Sequence, residues 1–172
     1  LQQSLAVLEP DTERQMDVLR EQHHAQVFRV LAQDMAGLLT VEKLADHLSA
    51  LADILLDSAL TCAWKKLPER YRGHRETPQF AVISYGKLGG KELGYASDLD
   101  LVFLYDDEHP DAGEIYSRLG TRLNTWLSAQ TAAGQYMPIS TPMKVATPLP
   151  PLKPSQTGKT CPTRAPRPAR WL

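Results

Sequence analysis

Two aspartates separated by one residue, Asp98 and Asp100, have the spacing in this chain that most directly indicates chemistry. They open an apolar run, Leu99–Tyr105, that has the length and composition of a β-strand. Because strand side chains alternate between two faces, both carboxylates are expected on the same face. Two neighbouring carboxylates repel each other, so a cation is expected between them. Mg²⁺ suits such a site because it takes carboxylate, phosphate and water oxygens.

A glycine cluster precedes the aspartates and follows a second strand-like run, Phe80–Ile83. Its members are Gly86, Gly89, Gly90 and Gly94. Consecutive glycines are typical of a tight turn, and the backbone N–H groups of such a turn can bind phosphate oxygens. Glycines or an Asp-x-Asp pair alone would be weak signals. Together, between two strands, they indicate metal-assisted chemistry on a nucleoside triphosphate.

This arrangement resembles the nucleotidyltransferase superfamily, in which Gly-Gly or Gly-Ser precedes an Asp-x-Asp that opens a strand. The matching positions here are Gly89-Gly90 and Asp98-Leu99-Asp100. The longer run Gly86–Tyr105 reads Gly-Lys-Leu-Gly-Gly-Lys-Glu-Leu-Gly-Tyr-Ala-Ser-Asp-Leu-Asp-Leu-Val-Phe-Leu-Tyr. It is similar to the bacterial glutamine synthetase adenylyltransferase/adenylyl-removing family, which carries one domain that attaches AMP to glutamine synthetase and one that removes it. The residues of this run are more similar to those of the AMP-attaching domain than to those of the AMP-removing domain.

The resemblance implies that Asp98 and Asp100 are catalytic and bind Mg²⁺, with ATP as the substrate. The nucleotide-binding residues that it implies are Lys87, Gly89, Gly90 and Ser97. The family's nucleophile is a tyrosine hydroxyl of glutamine synthetase, which attacks the α-phosphorus and expels pyrophosphate. The PII signal protein is implied as a regulatory partner of the full-length protein in nitrogen metabolism. For Lys87, a solvated side chain is an equally good interpretation.

The resemblance stops at Gly134-Gln135, where the family continues into a strand that carries a third metal-binding aspartate. Residues 136–172 instead contain nine of the 13 prolines, six basic residues and no acidic residue. We interpret them as a frameshift product; a basic, disordered tail is the alternative. Without the third aspartate, the chain is expected to bind nucleotide weakly and to be nearly inactive. Its sheet is expected to lack at least one strand.

The elements that position the site are predicted to form an α+β fold. Residues 1–67 are predicted to be a helical segment. Residues 79–135 are predicted to be a partial nucleotidyltransferase core, an incomplete polymerase-beta-like sheet with flanking helices. Residues 136–172 form the tail described above.

Apolar residues at three- and four-residue spacing predict one or two helices over residues 11–39. Thr40 is the expected N-cap of a further helix that ends near Lys66. Asp111 with Glu114 indicates a capping box at the start of a third helical region.

That third helix is expected to span roughly 17–20 residues and to end at Gly134. The carboxylates just before it, Asp106 and Asp107, are predicted to be solvated. His23 and His24 are adjacent and therefore do not share a helix face, which favours structural roles over metal binding. Three linker arginines could reach a triphosphate, although a solvated face is the favoured interpretation: Arg70, Arg72 and Arg75.

The overall composition excludes several classes of protein. A net charge of −1 gives no reason to expect a nucleic-acid partner. No apolar run approaches the roughly 18–20 residues of a membrane span. The two cysteines, Cys62 and Cys161, are expected to be unpaired thiols in a reducing cytosol. With Leu1 in place of an initiator methionine, the chain is expected to be a cytoplasmic fragment of a longer protein.

Three functions remain open at this stage. The first is a fragment of the glutamine synthetase adenylyltransferase. The second is another nucleotidyltransferase with a small-molecule acceptor, which the length of the Gly86–Tyr105 match disfavours. The third is a degenerate domain that binds a nucleotide or a regulator without chemistry.

Overall fold

The computed structural model describes residues 1–9, 11–73, 75–129, 133 and 145–146. Within these residues the chain is α+β, with six helices and three short strands. The helices are α1 (Gln2–Val7), α2 (Thr12–Met35), α3 (Val41–Lys65), α4 (Glu69–Arg72), α5 (Gly86–Gly89) and α6 (Ala112–Ser128). The strands are β1 (Phe80–Tyr85), β2 (Asp100–Tyr105) and β3 (Val145–Ala146).

Helices α2 and α3 pack on each other as a hairpin, and the N-cap of α3 is the one that the sequence predicts. The Asp11 side chain accepts a hydrogen bond from Arg14 N at 3.0 Å at the start of α2. Thr40 Oγ1 accepts one from Lys43 N at 3.4 Å at the start of α3. Such caps satisfy backbone donors that have no partner inside the helix. The two predicted helical regions are therefore confirmed.

The sheet has the strand order β1-β2-β3. Strands β1 and β2 pair antiparallel, with Phe80 opposite Tyr105 and Tyr85 opposite Asp100. Strand β3 pairs parallel to β2 beside Phe103 and Leu104. The sequence did not predict this two-residue strand. The remainder of residues 136–172 lies outside the described residues, so its predicted disorder or frameshift is not tested.

One continuous core joins the helical segment to the sheet. Its buried members include Leu55 and Trp64 of α3, Leu101 and Phe103 of β2, and Leu119 of α6. Helices α3 and α6 pack on each other, and both contribute to this core with the inward side chains of β1 and β2. No helix in the described part of the chain is both long and apolar enough to cross a membrane.

A buried arginine ties α2 to the end of α6. Arg20 is only 1% exposed, and its guanidinium donates to the backbone oxygens of Trp126 (3.3 Å) and Ala129. The last carbonyl groups of a helix lack partners and carry partial negative charge, so a cation is favourable there. The apolar periodicity of α2 gave no indication of this contact.

Two features of the region around α6 differ from the sequence predictions. Asp111 is the N-cap residue of α6, but its side chain makes no capping hydrogen bond, so the predicted capping box is wrong. The helix ends at Ser128, before the predicted stop at Gly134. The linker from Leu67 to Gln79 contains the short helix α4.

Asp107 was predicted to be solvated, and this is wrong. Its side chain is 3% exposed and pairs with Arg75. It also accepts hydrogen bonds from Tyr116 Oη at 2.7 Å and from His109 N at 2.9 Å. Burial raises the pKa of Asp107, but the bonds from Arg75, Tyr116 and His109 outweigh burial and leave the pKa lowered. The network joins the linker, the end of β2 and α6.

We expect Asp107→Asn to destabilise the fold by about 1–2 kcal/mol at neutral pH, because charge-assisted hydrogen bonds are lost. The folded-state pKa lies below the unfolded value of about 3.9. The ionised Asp107 side chain therefore stabilises the fold fully at pH values above the unfolded-state pKa. This stabilisation is lost as the pH falls through the folded-state pKa. Urea unfolding across the acidic range measures it. The exposed neighbour provides a control, since Asp106→Asn should leave both the stability and its pH dependence unchanged.

Candidate active site

Buried leucines flank Asp100 at the start of β2. Leu99 is 0% exposed and Leu101 is 3% exposed, so both point into the core. Asp100, the first residue of β2, and Asp98, two residues before the strand, are half-buried. Side chains two apart on an extended chain lie on the same side. This spacing is in line with the predicted common face for Asp98 and Asp100, which stays a prediction.

Gly86 follows the residue that pairs with Asp100 and lies against the Asp100 carboxylate. Its φ is +57°, in the left-handed region that favours glycine. A Cβ at this position would overlap Asp100 Oδ2. Gly86 is therefore required both for the turn of the chain and for the space that the carboxylate occupies.

The remaining glycines shape a turn that is open on its outer side. Gly89, Gly90 and Lys87 are exposed, while Leu88 anchors the turn in the core. A Cβ on Gly89 would lie 2.5 Å from the backbone oxygen of Ser84, so only glycine fits without a shift. The N–H of Gly90 donates to Gly86 O at 2.9 Å. A phosphate contact through Gly90 N–H therefore requires that this bond be shared or replaced.

The loop between the glycine turn and Asp98 is held at three points. Leu93 is buried against the helical hairpin, beside Leu48 and Leu51. Tyr95 Oη donates to Asp34 Oδ2 on α2 at 3.0 Å. Ser97 is buried, and its Oγ accepts a hydrogen bond from Gly94 N at 2.9 Å. The Ser97 hydroxyl thus closes a local turn just before the aspartates, and its own proton is still available to another acceptor.

The donor set fits Mg²⁺ that is shared with a substrate phosphate. Mg²⁺ is commonly held in proteins by one or two carboxylates, with phosphate and water oxygens completing its shell. Asp98 and Asp100 supply such a pair on an accessible face. Across the residues that the structure describes, no cluster of three or more His, Cys, Asp or Glu side chains could hold a metal by itself.

The other polar residues singled out from the sequence lie away from this pair. His23 is half-buried in α2; burial, with a smaller effect from His24, lowers its pKa to about 4. It is therefore neutral at physiological pH, in line with a structural role. Arg75 is engaged with Asp107, and Arg72 Nε donates to Leu67 O at 3.0 Å. The hydrogen bond between Tyr95 and Asp34, 61 residues apart, had no signal in the sequence.

Comparisons with known proteins agree with the geometry. A family model described as glutamate-ammonia ligase adenylyltransferase matches residues 1–139. The chain is 69% identical over 134 residues to the bifunctional glutamine synthetase adenylyltransferase/adenylyl-removing enzyme of Aromatoleum aromaticum, an alignment that covers 78% of this chain and 14% of that protein. The protein of the same description from Neisseria meningitidis serogroup B is 68% identical over 124 residues, covering 72% of this chain and 14% of that protein. The corresponding values for Chromobacterium violaceum are 60% over 134 residues, 78% and 15%. The chain thus spans about one seventh of the length of these relatives.

We expect Gly86→Ala to weaken divalent-cation binding roughly tenfold or more, because the new methyl group displaces a carboxylate that binds the ion. It should also destabilise the fold by about the 1–2 kcal/mol that a left-handed alanine costs, because the overlapping atom is the end of a side chain that can move. Mn²⁺ titration followed by electron paramagnetic resonance measures the affinity, and urea unfolding measures the stability.

Gly37→Ala is the matched control for this substitution. Gly37 also has a left-handed φ, of +70°, but nothing lies within 4 Å of a Cβ placed there. The Gly37→Ala variant should be less stable than the parent chain but should bind Mn²⁺ with the same affinity. Equal Mn²⁺ affinity in the two variants would contradict the assignment of Asp100 as a ligand held in place by Gly86.

Proposed function

The chain belongs to the glutamate-ammonia ligase adenylyltransferase family, and from that premise we propose that it is part of an enzyme that transfers AMP from ATP to a tyrosine hydroxyl of glutamine synthetase. Because the chain spans only about one seventh of the relatives' length, the activity is proposed for the intact protein. That protein would also remove AMP, as the adenylyl-removing part of the relatives' description indicates, and we propose phosphorolysis as the route.

One observation carries this proposal more than any other. Asp98 lies two residues before β2, and Asp100, the first residue of β2, lies so close to the glycine turn that a Cβ at Gly86 would overlap Asp100 Oδ2. Neither a surface Asp-x-Asp nor an ordinary glycine turn requires this contact. The contact suits a site that places a metal next to a nucleotide phosphate, because a turn that binds phosphate must then lie close to the carboxylates that bind the ion.

In the proposed site, Asp98 and Asp100 hold Mg²⁺. When bound, the ion neutralises phosphate charge and stabilises the attacking and leaving oxygens of an in-line displacement. The exposed backbone of Gly89 and Gly90 faces the triphosphate, and Lys87 adds positive charge beside it. Ser97 Oγ donates a hydrogen bond to a phosphate oxygen while it accepts one from Gly94 N.

We assign this segment to the half of the enzyme that attaches AMP, because Leu93-Gly94-Tyr95 and Leu99 resemble that half. Regulation by the PII signal protein, in the control of nitrogen metabolism, belongs in this proposal to the longer protein. A cytoplasmic location is proposed with it. The buried free thiol of Cys62 supports that location, since unpaired cysteines are usual in a reducing compartment.

The third metal-binding aspartate of the family has no counterpart in residues 136–172, which contain no Asp or Glu. We therefore propose that the chain binds ATP with Mg²⁺ but transfers AMP poorly. The same observation supports a second candidate, a domain that binds nucleotide without chemistry. A small-molecule acceptor has no observation in its favour.

The proposal is tested with labelled ATP, Mg²⁺ and glutamine synthetase, using this chain and a chain extended by the family's strand with the third aspartate. We expect transfer to the synthetase by the extended chain and at least about 100-fold less by the chain itself, since a ligand of the metal centre is absent. Equal transfer by both chains would show that the third aspartate is dispensable.

Asp100→Asn in the extended chain should abolish transfer, because it removes a charged oxygen ligand at almost constant volume. Asp46→Asn, at an exposed position on α3, is the matched control and should leave transfer unchanged. Failure of the folded extended chain to modify glutamine synthetase would favour the AMP-removing half or a binding domain.

A further inference from the structure

A groove on the outer side of α6 gathers three arginines. It has a volume of about 540 Å³ and lies between α6, the turn after α3 and the start of α2. The side chains that matter for its chemistry are Arg70, Tyr71, Arg118, Thr121, Arg122 and Trp126. We call it the arginine groove. None of its lining residues belongs to the glycine turn or to the aspartate pair.

The three guanidinium groups are held in place by neighbouring groups. Arg122 donates to Lys66 O at 2.7 Å, at the end of α3. The guanidinium carbons of Arg70 and Arg118 lie 4.8 Å and 5.4 Å from the centre of the Tyr71 ring. Each arginine carries five N–H donors in a rigid planar guanidinium group. These contacts therefore hold the guanidinium groups in place and leave some of their N–H groups available to a ligand.

The charge of the groove is unbalanced. Among the described residues, neither Arg70 nor Arg122 forms an ion pair with a carboxylate. Arg118 pairs with Glu114 at 2.8 Å at the rim. No aspartate or glutamate is among the residues that line the groove. Residues 1–135 as a whole contain 13 Lys and Arg against 20 Asp and Glu, so three arginines at one place run against the charge of the chain.

The other groups in the groove favour an anion with several oxygens. Thr121 Oγ1 and Thr125 Oγ1 donate their protons to backbone oxygens one turn earlier, each at 3.0 Å, so they cannot donate to a ligand. The guanidinium groups are therefore the main hydrogen-bond donors of the groove. Each can donate two parallel hydrogen bonds to two oxygens of one carboxylate or phosphate. Arg118 and Arg122 are four residues apart on one helix and therefore lie on neighbouring turns.

We propose that the arginine groove binds a small molecule bearing a phosphate or carboxylate group, at a site separate from the metal–nucleotide site. The groove has the volume usual for a small-molecule site. Tyr71, Trp126 and Met16 provide apolar surface beside the arginines. The proposal does not depend on AMP transfer, because neither aspartate is among the residues that line the groove.

The experiment uses the 172-residue chain without Mg²⁺ or ATP. Inorganic phosphate and citrate are titrated separately at constant ionic strength set with chloride, and backbone amide shifts of Arg118, Thr121 and Thr125 are followed by NMR. We expect saturable millimolar binding of at least one of the two ions. Phosphate alone would indicate a phosphate ester as the ligand, and citrate alone a carboxylate. Binding of neither ion would overturn the proposal.

Substitutions separate a binding groove from arginines that only support packing. Arg70→Gln and Arg122→Gln should each weaken binding roughly threefold to tenfold, as expected for loss of one charge-assisted contact near the surface. Arg29→Gln removes the same charge at an exposed position of α2 outside the groove and should not change the affinity. Arg70→Gln remains informative if Arg122→Gln unfolds, because Arg70 is exposed.

Glu114→Gln should change the affinity of the groove for the anion in the opposite direction. It removes the carboxylate that competes for Arg118, so we expect the anion to bind more tightly. A groove that serves only packing would show no gain in affinity. Equal effects of Arg70→Gln and Arg29→Gln would show that the ions respond to net charge alone and would overturn the proposal.

Discussion

The strict alternation of side chains at the start of β2 is the constraint on which the rest of the structure depends. Leu99, Leu101 and Phe103 are buried in the core, which fixes the register of the strand against β1 and the helices. The same register places Asp100, and in our proposal Asp98, on the opposite face. A shift by one residue would bury the Asp100 carboxylate and expose three large apolar side chains. In this proposal, the free energy that stabilises the core also holds the two carboxylates near each other despite their mutual repulsion.

The helices act on the site through the segments that they hold. Buried Leu93 lines a small cavity with residues of both α2 and α3, and Tyr95 donates to Asp34 of α2, so the loop leading to Asp98 is held at its middle. Burial raises the pKa of Tyr95, and the hydrogen bond to Asp34 adds to that effect, which keeps the hydroxyl protonated as a donor. Arg20 joins α2 to the end of α6. A change in the hairpin would thus reach the aspartates through one short loop.

The sequence predicted most of what depends on local pattern. The long helices, the Thr40 cap and the two strands all follow from periodicities and end signals. The Asp11 cap was not predicted, and the shared face of the aspartates stays a prediction. The sequence missed contacts between residues distant in the chain. Arg20 and Asp107 are charged residues that composition rules place at the surface, yet Trp126, Ala129, Arg75 and Tyr116 supply partners that make burial favourable. The fit of Gly86 against Asp100 likewise depends on the pairing of the strands.

The most direct test of the central claim is to find where a divalent cation binds. Mn²⁺ added in small amounts broadens the NMR signals of nearby amides and can be displaced by Mg²⁺. We expect broadening confined to the glycine turn and residues 97–101, increased by ATP, and absent in Asp98→Asn and Asp100→Asn. Broadening centred instead on residues 106–108, with no response to the two substitutions, would contradict the account.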